Sequence, residues 1–388
     1  LRALRLESAV TALLNRGPLS RTELAQLTGY SPSSMTSTIR ELMTTGQVRE
    51  VGPAASTGGR RRTLLQFDRT TVLVTLVSIE APYVTVTQVD LEGQTQVQIR
   101  RRLDPSEPLQ SITEALTALH TAAVSSSQCI IVSLPGVVSA EGDVSLAPSL
   151  GAAAGSHLDD VLAEATGLPV LVENDVNLLA LGEHASGSAR GAADYVLVFV
   201  GEGIGGGLVL DGRIRRGANQ SAGELGFLPW AGLAQTAGST VGPLESAWSV
   251  PALETRAAEL GLDPGDRGVV AALSEAALSE AAPPEAAPSE AGASPAQALL
   301  DRAVEAWAYA AVATSCVVDP SLVVFAGAAT DLDQARRDHL AATVTDQSPS
   351  PVDVRFAELG DSAIVHGAIA HLVAHPQLII TAPPGASQ

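Results

Sequence analysis

The period of the apolar positions changes near residue 70. Before it, Ala3, Leu6, Val10 and Leu13 recur at steps of three and four, the stripe of an amphipathic helix, which Gly17-Pro18 ends. Ser20-Arg21-Thr22-Glu23 has the capping-box pattern, so a second helix is predicted there, with Leu24 and Leu27 inward and Gly29 allowing a sharp turn. A third opens with Ser31 as cap and Pro32 in its first turn, buries Met35, Ile39, Leu42 and Met43, and stops at Gly46. Residues 48–51 and 63–67 then predict two strands around a loop, residues 52–62.

After residue 70 the period shortens. Residues 71–79, 83–91 and 94–103 alternate apolar and polar positions, with Glu92-Gly93 as a turn; a helix over 109–125 and an apolar strand over 129–134 follow. The round recurs as strands 195–200, 207–210 and 212–215, turning at Asp211-Gly212, then a long helix 298–317 and a strand 322–326. This repetition predicts a duplicated α/β body of two lobes with a cleft between them, the first hairpin of each lobe facing it.

Between the rounds, residues 171–177 read as a strand running into a helix. Asn174 and Asp175 at its end are placed to hold hydroxyls, and Asp175 to take a proton as a general base. The same residue types cap helices, and the spacing does not choose between the two. The run Gly201-Glu202-Gly203-Ile204-Gly205-Gly206-Gly207 reads equally as amides folded around a phosphate or as a flexible turn. Residues 271–295 repeat Ala, Ser, Glu and Pro and predict a surface insertion without fixed structure, a transient helical stub being the alternative. The tail after Thr381 is expected to be loose as well.

With 388 residues, 46% of them hydrophobic and 17% charged, the chain can bury two or three domain cores. Cys129 and Cys316 are too few for a disulfide framework and are expected in the core; none of the seven His falls in a metal-like spacing. No apolar run is long enough for a membrane span and the first residues lack a signal-peptide layout, so a cytoplasmic protein is expected, with no membrane partner.

Charge then separates the two regions. The net charge is −19, yet residues 1–70 hold ten Arg against five acidic residues, while the remainder holds 13 against 37; every basic residue is Arg. A basic head on an acidic body predicts that the head alone meets a polyanion. The outer face of its third helix carries Ser33, Ser34, Thr36, Ser37 and Arg40: small hydroxyls that permit close approach, and a cation that reaches a guanine edge or a phosphate. In the loop, Thr57-Gly58-Gly59 precedes Arg60, Arg61 and Arg62, suited to phosphate or minor-groove contacts. Residues 1–70 are therefore read as a winged helix-turn-helix that binds double-stranded operator DNA.

Five segments in order, TGGRRRTLLQF (57–67), VSLPGVVSAEGDV (132–144), VENDVN (172–177), GEGIGGGLVLDGRIRRGANQSAGELGF (201–227) and VVDPSLVVFAG (317–327), resemble the ROK family (repressor, open reading frame, kinase), specifically its winged-helix transcriptional regulators. The resemblance implies a two-lobed, actin-like (hexokinase-type) ATPase fold after the head, with lobes at 71–192 and 193–380 and the insertion at 271–297. It also implies a homodimer or homotetramer, a sugar or sugar-derivative effector, and a repressor. Sugar kinases of the family place the sugar on the Asn-Asp pair, matching Asn174 and Asp175, the Asp being the base. They add the Glu of a GEIGH segment, matching Glu224, and an acid matching Glu245.

The departures from that pattern set the functional expectation. The GEIGH His is Phe227 and residues 228–245 hold neither Cys nor His, so the family zinc site lacks its ligands; packing around Phe227, Trp230 and Trp248 is expected instead. Ser78-Ile79-Glu80-Ala81-Pro82 stands where the kinases have D-x-G-G-T: the Mg²⁺-holding Asp is Ser, and Pro82 has no amide hydrogen. Glu202 interrupts the second phosphate loop (Gly201, Gly203, Gly205, Gly206), where a carboxylate ~4 Å from a phosphate charge costs about 4 kcal/mol at an effective dielectric of 20. The adenosine-side glycines are reduced to Gly327. No catalytic residue, metal or cofactor is expected. The alternatives are a sugar kinase carrying a regulatory head and a regulator answering to a protein partner.

Overall fold

Leu6, Ala9, Val10, Leu13 and Leu14 form the buried side of α1 (Arg2–Arg16) in the computed structural model, which describes all residues except 54–61, 140–141, 148–149, 151–156, 231–232, 234–237, 280–293 and 381–388. A short strand β1 (Leu19–Ser20) leads into α2 (Arg21–Thr28), where the capping box forms: Ser20 Oγ accepts from Glu23 N at 3.3 Å and Glu23 Oε2 from Ser20 N at 2.8 Å. The Ser20 N–H, and after it the Ser20 hydroxyl, hold the Glu23 carboxyl below the usual range. Ser31 caps α3 (Pro32–Thr44), accepting from Ser34 N at 3.2 Å. β2 (Val48–Pro53) and β3 (Thr63–Phe67) complete an antiparallel sheet of order β1-β3-β2. Three predicted core positions differ. Leu27, expected inward on α2, is 43% exposed. Ala3 is exposed, and Met43 is 36% exposed while Thr38 is buried, its hydroxyl donating to Ser34 O at 3.0 Å. At 100° per residue Thr38 lies about 60° from Met35, on the Leu42 side of the stripe, whereas Met43 lies about 80° from Met35 on the other side.

The chain divides into two compact units, residues 1–175 with 368–388, and residues 176–367. The first unit holds the head and a five-stranded sheet. β4 (Leu73–Glu80), β5 (Tyr83–Asp90) and β6 (Thr95–Arg102) form the antiparallel meander, its turn tied by Asp90 Oδ1, which accepts from Glu92 N and Gln94 N, each at 2.9 Å. α4 (Pro108–Ala122) packs on β5 and β6; β7 (Ile130–Leu134) then runs parallel to β4. A small ribbon of β8 (Val137–Val138) and β9 (Val144–Ser145), helix α5 (Leu158–Thr166) and strand β10 (Val170–Asn174), parallel to β7, finish it. The order is β10-β7-β4-β5-β6. The alternation predicted for the first strand is absent: β4 is buried on both faces from Val74 to Val77, as a central strand flanked by β5 and β7 should be.

The second unit repeats this plan. After α6 (Asp175–Ser186) come β11 (Tyr195–Val200), β12 (Ile204–Leu210) and β13 (Arg213–Ile214) as an antiparallel meander. Helices α7 (Pro243–Trp248), α8 (Val250–Glu259), α9 (Val269–Ser279) and α10 (Pro295–Val318) precede β14 (Leu322–Gly327), parallel to β11. α11 (Gln334–Gln347) leads to β15 (Asp353–Phe356), and α12 (Ser362–Ala374) carries the chain back into the first unit. The order β13-β12-β11-β14-β15 matches the first sheet strand for strand, so the body is a duplicated, actin-like α/β fold.

Two expectations are corrected here. The predicted insertion is ordered at both ends: Val269, Val270, Leu273 and Ala277 recur at helical spacing and are buried in α9, and α10 already starts at Pro295 with Ser294 as its cap. Residues 280–293 lie outside the described part. The lobe boundary also moves: residues 176–192 belong with the second sheet and residues 368–380 with the first. Among the described residues no helix is long and apolar enough to cross a membrane.

Candidate functional site

On α3, Ser33, Ser37 and Arg40 are exposed, Ser34 and Thr36 half-buried. The first hydroxyls serve the helix itself. Ser31 Oγ donates to Ser34 Oγ at 2.9 Å and lies 3.1 Å from Ser33 Oγ, and the Thr36 hydroxyl donates to Pro32 O at 2.8 Å. Ser37 and Arg40 carry no such commitment among the described residues. The head's charge is less available than its count suggests. Arg2 pairs with Glu41, Arg21 with Glu50 at 3.1 Å and Arg49 with Asp68 at 3.1 Å; Arg69 donates to Leu14 O at 3.2 Å. Among the described residues Arg16, Arg40 and Arg62 are exposed and form no ion pair; Arg62, just before β3, acts on the Glu23 carboxyl. Arg60 and Arg61 lie outside the described residues.

In the first unit, Asn174 ends β10 and Asp175 begins α6, a carboxylate at a helix N-terminus, where the peptide dipoles favour negative charge. Asn174 is held twice: its amide N–H donates to Glu173 Oε1 at 3.0 Å, and its Nδ2 donates to Gly136 O at 3.0 Å. Glu173 is itself buried, and its other oxygen faces His371 Nδ1 at 3.8 Å. Sequence reasoning missed Glu173 and His371. The only available signal was a carboxylate inside an otherwise apolar strand.

In the second unit, Glu224 is half-buried just before a short 3₁₀ turn, Leu225–Phe227. Glu245, in the first turn of α7, points its Oε2 at Ile204 N (3.0 Å). Burial pushes its carboxyl above the usual range, and the Ile204 bond opposes this only in part. The glycine run is mostly strand: Gly205 and Gly206 sit inside β12, and the loop proper is Gly201–Gly203, with Glu202 exposed. Its backbone is turned inward, Gly201 N donating to Gly203 O at 2.9 Å and Gly206 N to Gly223 O at 2.7 Å. A phosphate would have to displace these bonds and the Glu245 carboxylate. The residues present do not fit a nucleotide triphosphate.

Nor do they fit zinc, since the stretch after Phe227 holds no thiolate or imidazole. Aromatic packing stands there instead. Trp230 meets Trp248 edge-on at 6.0 Å and Tyr309 at 5.6 Å; Arg256 lies 4.4 Å over Trp248, whose carbonyl accepts from Trp307 Nε1 at 3.0 Å. Two further expectations change. His157 does lie with Asp159 and Asp160, ligand atoms within 4.8 Å of one another, although His157 and Asp160 are exposed. Cys316 is exposed rather than buried; Cys129 is buried, and burial pushes its thiol up to about 12.

A helix-turn-helix with a wing, joined to a duplicated actin-like body, defines a class of regulators built on a sugar-kinase scaffold. The chain belongs to the ROK family, whose model matches residues 77–375. It is 26% identical over 227 residues to the xylose repressor of Bacillus subtilis, covering 56% of this chain and 58% of that protein. It is 30% identical over 230 residues to the DNA-binding transcriptional dual regulator NagC of Escherichia coli, covering 57% of this chain and 56% of that one. The matched stretches thus span little more than half of these relatives. Among solved structures, a ROK family transcriptional regulator described as a homologue of the E. coli MLC protein has a TM-score of 0.78 at 20% identity, covering 97% of this chain and 98% of that one. The ROK hexokinase of Thermus thermophilus has a TM-score of 0.59 at 25% identity, covering 78% and 98%.

Proposed function

We propose that the protein is a DNA-binding transcriptional repressor whose kinase-like body senses a sugar or sugar derivative and does not phosphorylate it. The observation that carries this reading is the exposed Ser37–Arg40 face of α3, in a head whose other described arginines are mostly neutralised or tied down. α3 enters the major groove and Arg60, Arg61 and Arg62 lie along the phosphates or in the minor groove. The protein acts as a homodimer or homotetramer on an inverted repeat. In the first unit Asn174 and Asp175 are the candidate holders of sugar hydroxyls; in the second, Glu224 and Glu245 are candidate acceptors by their match to the family's sugar contacts, and Glu245 Oε2 already accepts from Ile204 N.

The absence of catalysis is part of the proposal. It is supported by the loop's Gly201 amide and β12's Gly206 amide, each bonded to a carbonyl of the protein, by β12's Ile204 amide, bonded to Glu245, and by Pro82, which has no amide to offer. The test is genome-wide mapping of bound sites, followed by calorimetry with sugars and sugar phosphates and by an ADP-release assay. Specific sites beside sugar-metabolism genes, heat with one sugar and no turnover are expected. Sugar-dependent ADP release lost in Asp175→Ala would replace this reading with that of a sugar kinase.

A further inference from the structure

We infer that the carboxyl-terminal segment, residues 371–379, is the mechanical link that reports the state of the Asn174–Asp175 site to the DNA-binding head. The inference rests on the proposed sugar-sensing reading and adds the route by which the site is regulated.

The segment is anchored at both ends by buried polar contacts. At one end His371 lies against Glu173, both almost fully buried, and Glu173 in turn holds the Asn174 amide. At the other end Gln47, 1% exposed, donates from Nε2 to Ile379 O at 2.6 Å. Gln47 joins α3 to β2: its own carbonyl accepts from Asp68 N at 2.8 Å, and Thr45 Oγ1 donates to its side-chain oxygen at 3.4 Å. It is therefore bonded to the residue that caps the recognition helix's end and to the one that follows the wing's second strand.

Between the anchors the segment is stiff. The His371 and His375 rings stack at 4.5 Å with planes 22° apart, and His375 Nδ1 lies 2.8 Å from His371 O. A carbonyl only accepts, so Nδ1 is the donor. A 3₁₀ turn, Pro376–Leu378, follows, closed by Leu378 N to His375 O at 3.1 Å and Ile379 N to Pro376 O at 3.1 Å, and it packs on α1. Ile379 is fully buried. No flexible linker separates Glu173 from Gln47 along this path. A shift of β10's end therefore moves the imidazole pair, the turn and the head in sequence. Glu173 is a positioning residue in this scheme; it need not touch the sugar.

The test uses the full chain and hydrogen exchange read by mass spectrometry on peptides covering α1, residues 44–53 and residues 63–68. His371→Leu is expected to raise exchange in these head peptides at least threefold, and His371→Gln, which keeps a donor, to restore most of the protection. Leu119→Ala, in the first unit's core but off the route, serves as the control for general loosening. Gln47→Leu is expected to raise head exchange too, and His371→Leu to add nothing further in its presence, the non-additivity that marks coupled sites. Wild-type head exchange in His371→Leu, equal loosening in Leu119→Ala, or additive effects of the two substitutions would overturn the inference. A second arm adds D-xylose, D-glucose or N-acetyl-D-glucosamine. A sugar that gives calorimetric heat should change head exchange in the wild type and not in Gln47→Leu; a head response that survives Gln47→Leu would also overturn the link. If none of the three gives heat, the sensing proposal loses support, while the link is still decided by the first arm.

Discussion

Replacing Arg40 by Ala separates sequence reading from charge attraction in the head. Arg40 is exposed and forms no ion pair among the described residues, so its removal leaves folding unchanged. A bidentate guanidinium contact with a base contributes about 1–3 kcal/mol, which predicts a loss of roughly 5- to 150-fold on the cognate site and a much smaller one on scrambled duplex. Arg49 is the internal control. It is bonded to Asp68, which also accepts from Thr70 N at 3.2 Å and from the Thr70 hydroxyl at 2.7 Å and so stays satisfied if Arg49 is cut. Exposed pairs are worth only ~0–1 kcal/mol, so Arg49→Ala should leave folding almost unchanged, and any affinity it loses should be equal on the cognate and scrambled duplexes. Fluorescence anisotropy on a mapped site and on its scramble, across a salt series, measures both. Equal losses on the two duplexes with the salt slope lowered by about one unit would make Arg40 a phosphate anchor and refute the reading.

Changing Arg60, Arg61 and Arg62 together to Ala should weaken cognate and scrambled DNA alike and flatten the salt dependence by about 0.9 for each phosphate no longer neutralised; an undiminished slope in the same anisotropy series would count against the wing. Gly207→Ala should destabilise the second unit by about 1–3 kcal/mol, read as a lowered melting temperature, because a Cβ there would lie 2.5 Å from Ala180 Cβ and 3.1 Å from Val176 O; an unchanged melt would refute the packing argument. Glu245 has its carboxyl raised by burial, so its ionisation opposes folding: the unfavourable contribution is absent below the unfolded value and grows as pH rises through the folded one. Glu245→Gln should therefore raise the melting temperature at neutral pH and lose that advantage in acid; an advantage independent of pH would point to packing instead.

What the sequence made legible follows how local each determinant is. The Ser20–Glu23 box and the Ser31-Pro32 start need only their own neighbours, and both form as their spacing predicts. The duplication was visible because each meander is bounded by turn residues and followed by a helix and a strand. Contacts distant in sequence were not legible. Glu173 with His371 and Gln47 with Ile379 join residues that no period or motif relates. Composition misled in the Ala-Ser-Glu repeat, where low complexity masked a helical apolar spacing that α9 uses. The glycine run misled in another way. Its spacing suits a phosphate loop that includes Gly205 and Gly206, whereas both lie within β12.

The two inner glycines of β12 carry a wider consequence. A side chain at Gly206 would meet Leu225 at 2.8 Å, and one at Gly207 would meet Ala180. Selection for a well-filled interior alone would thus preserve these letters after any phosphate had gone. A glycine signature can outlive the chemistry for which it is usually taken as a marker, and the carboxylate resting on the adjoining amide is the better witness to what the strand now does.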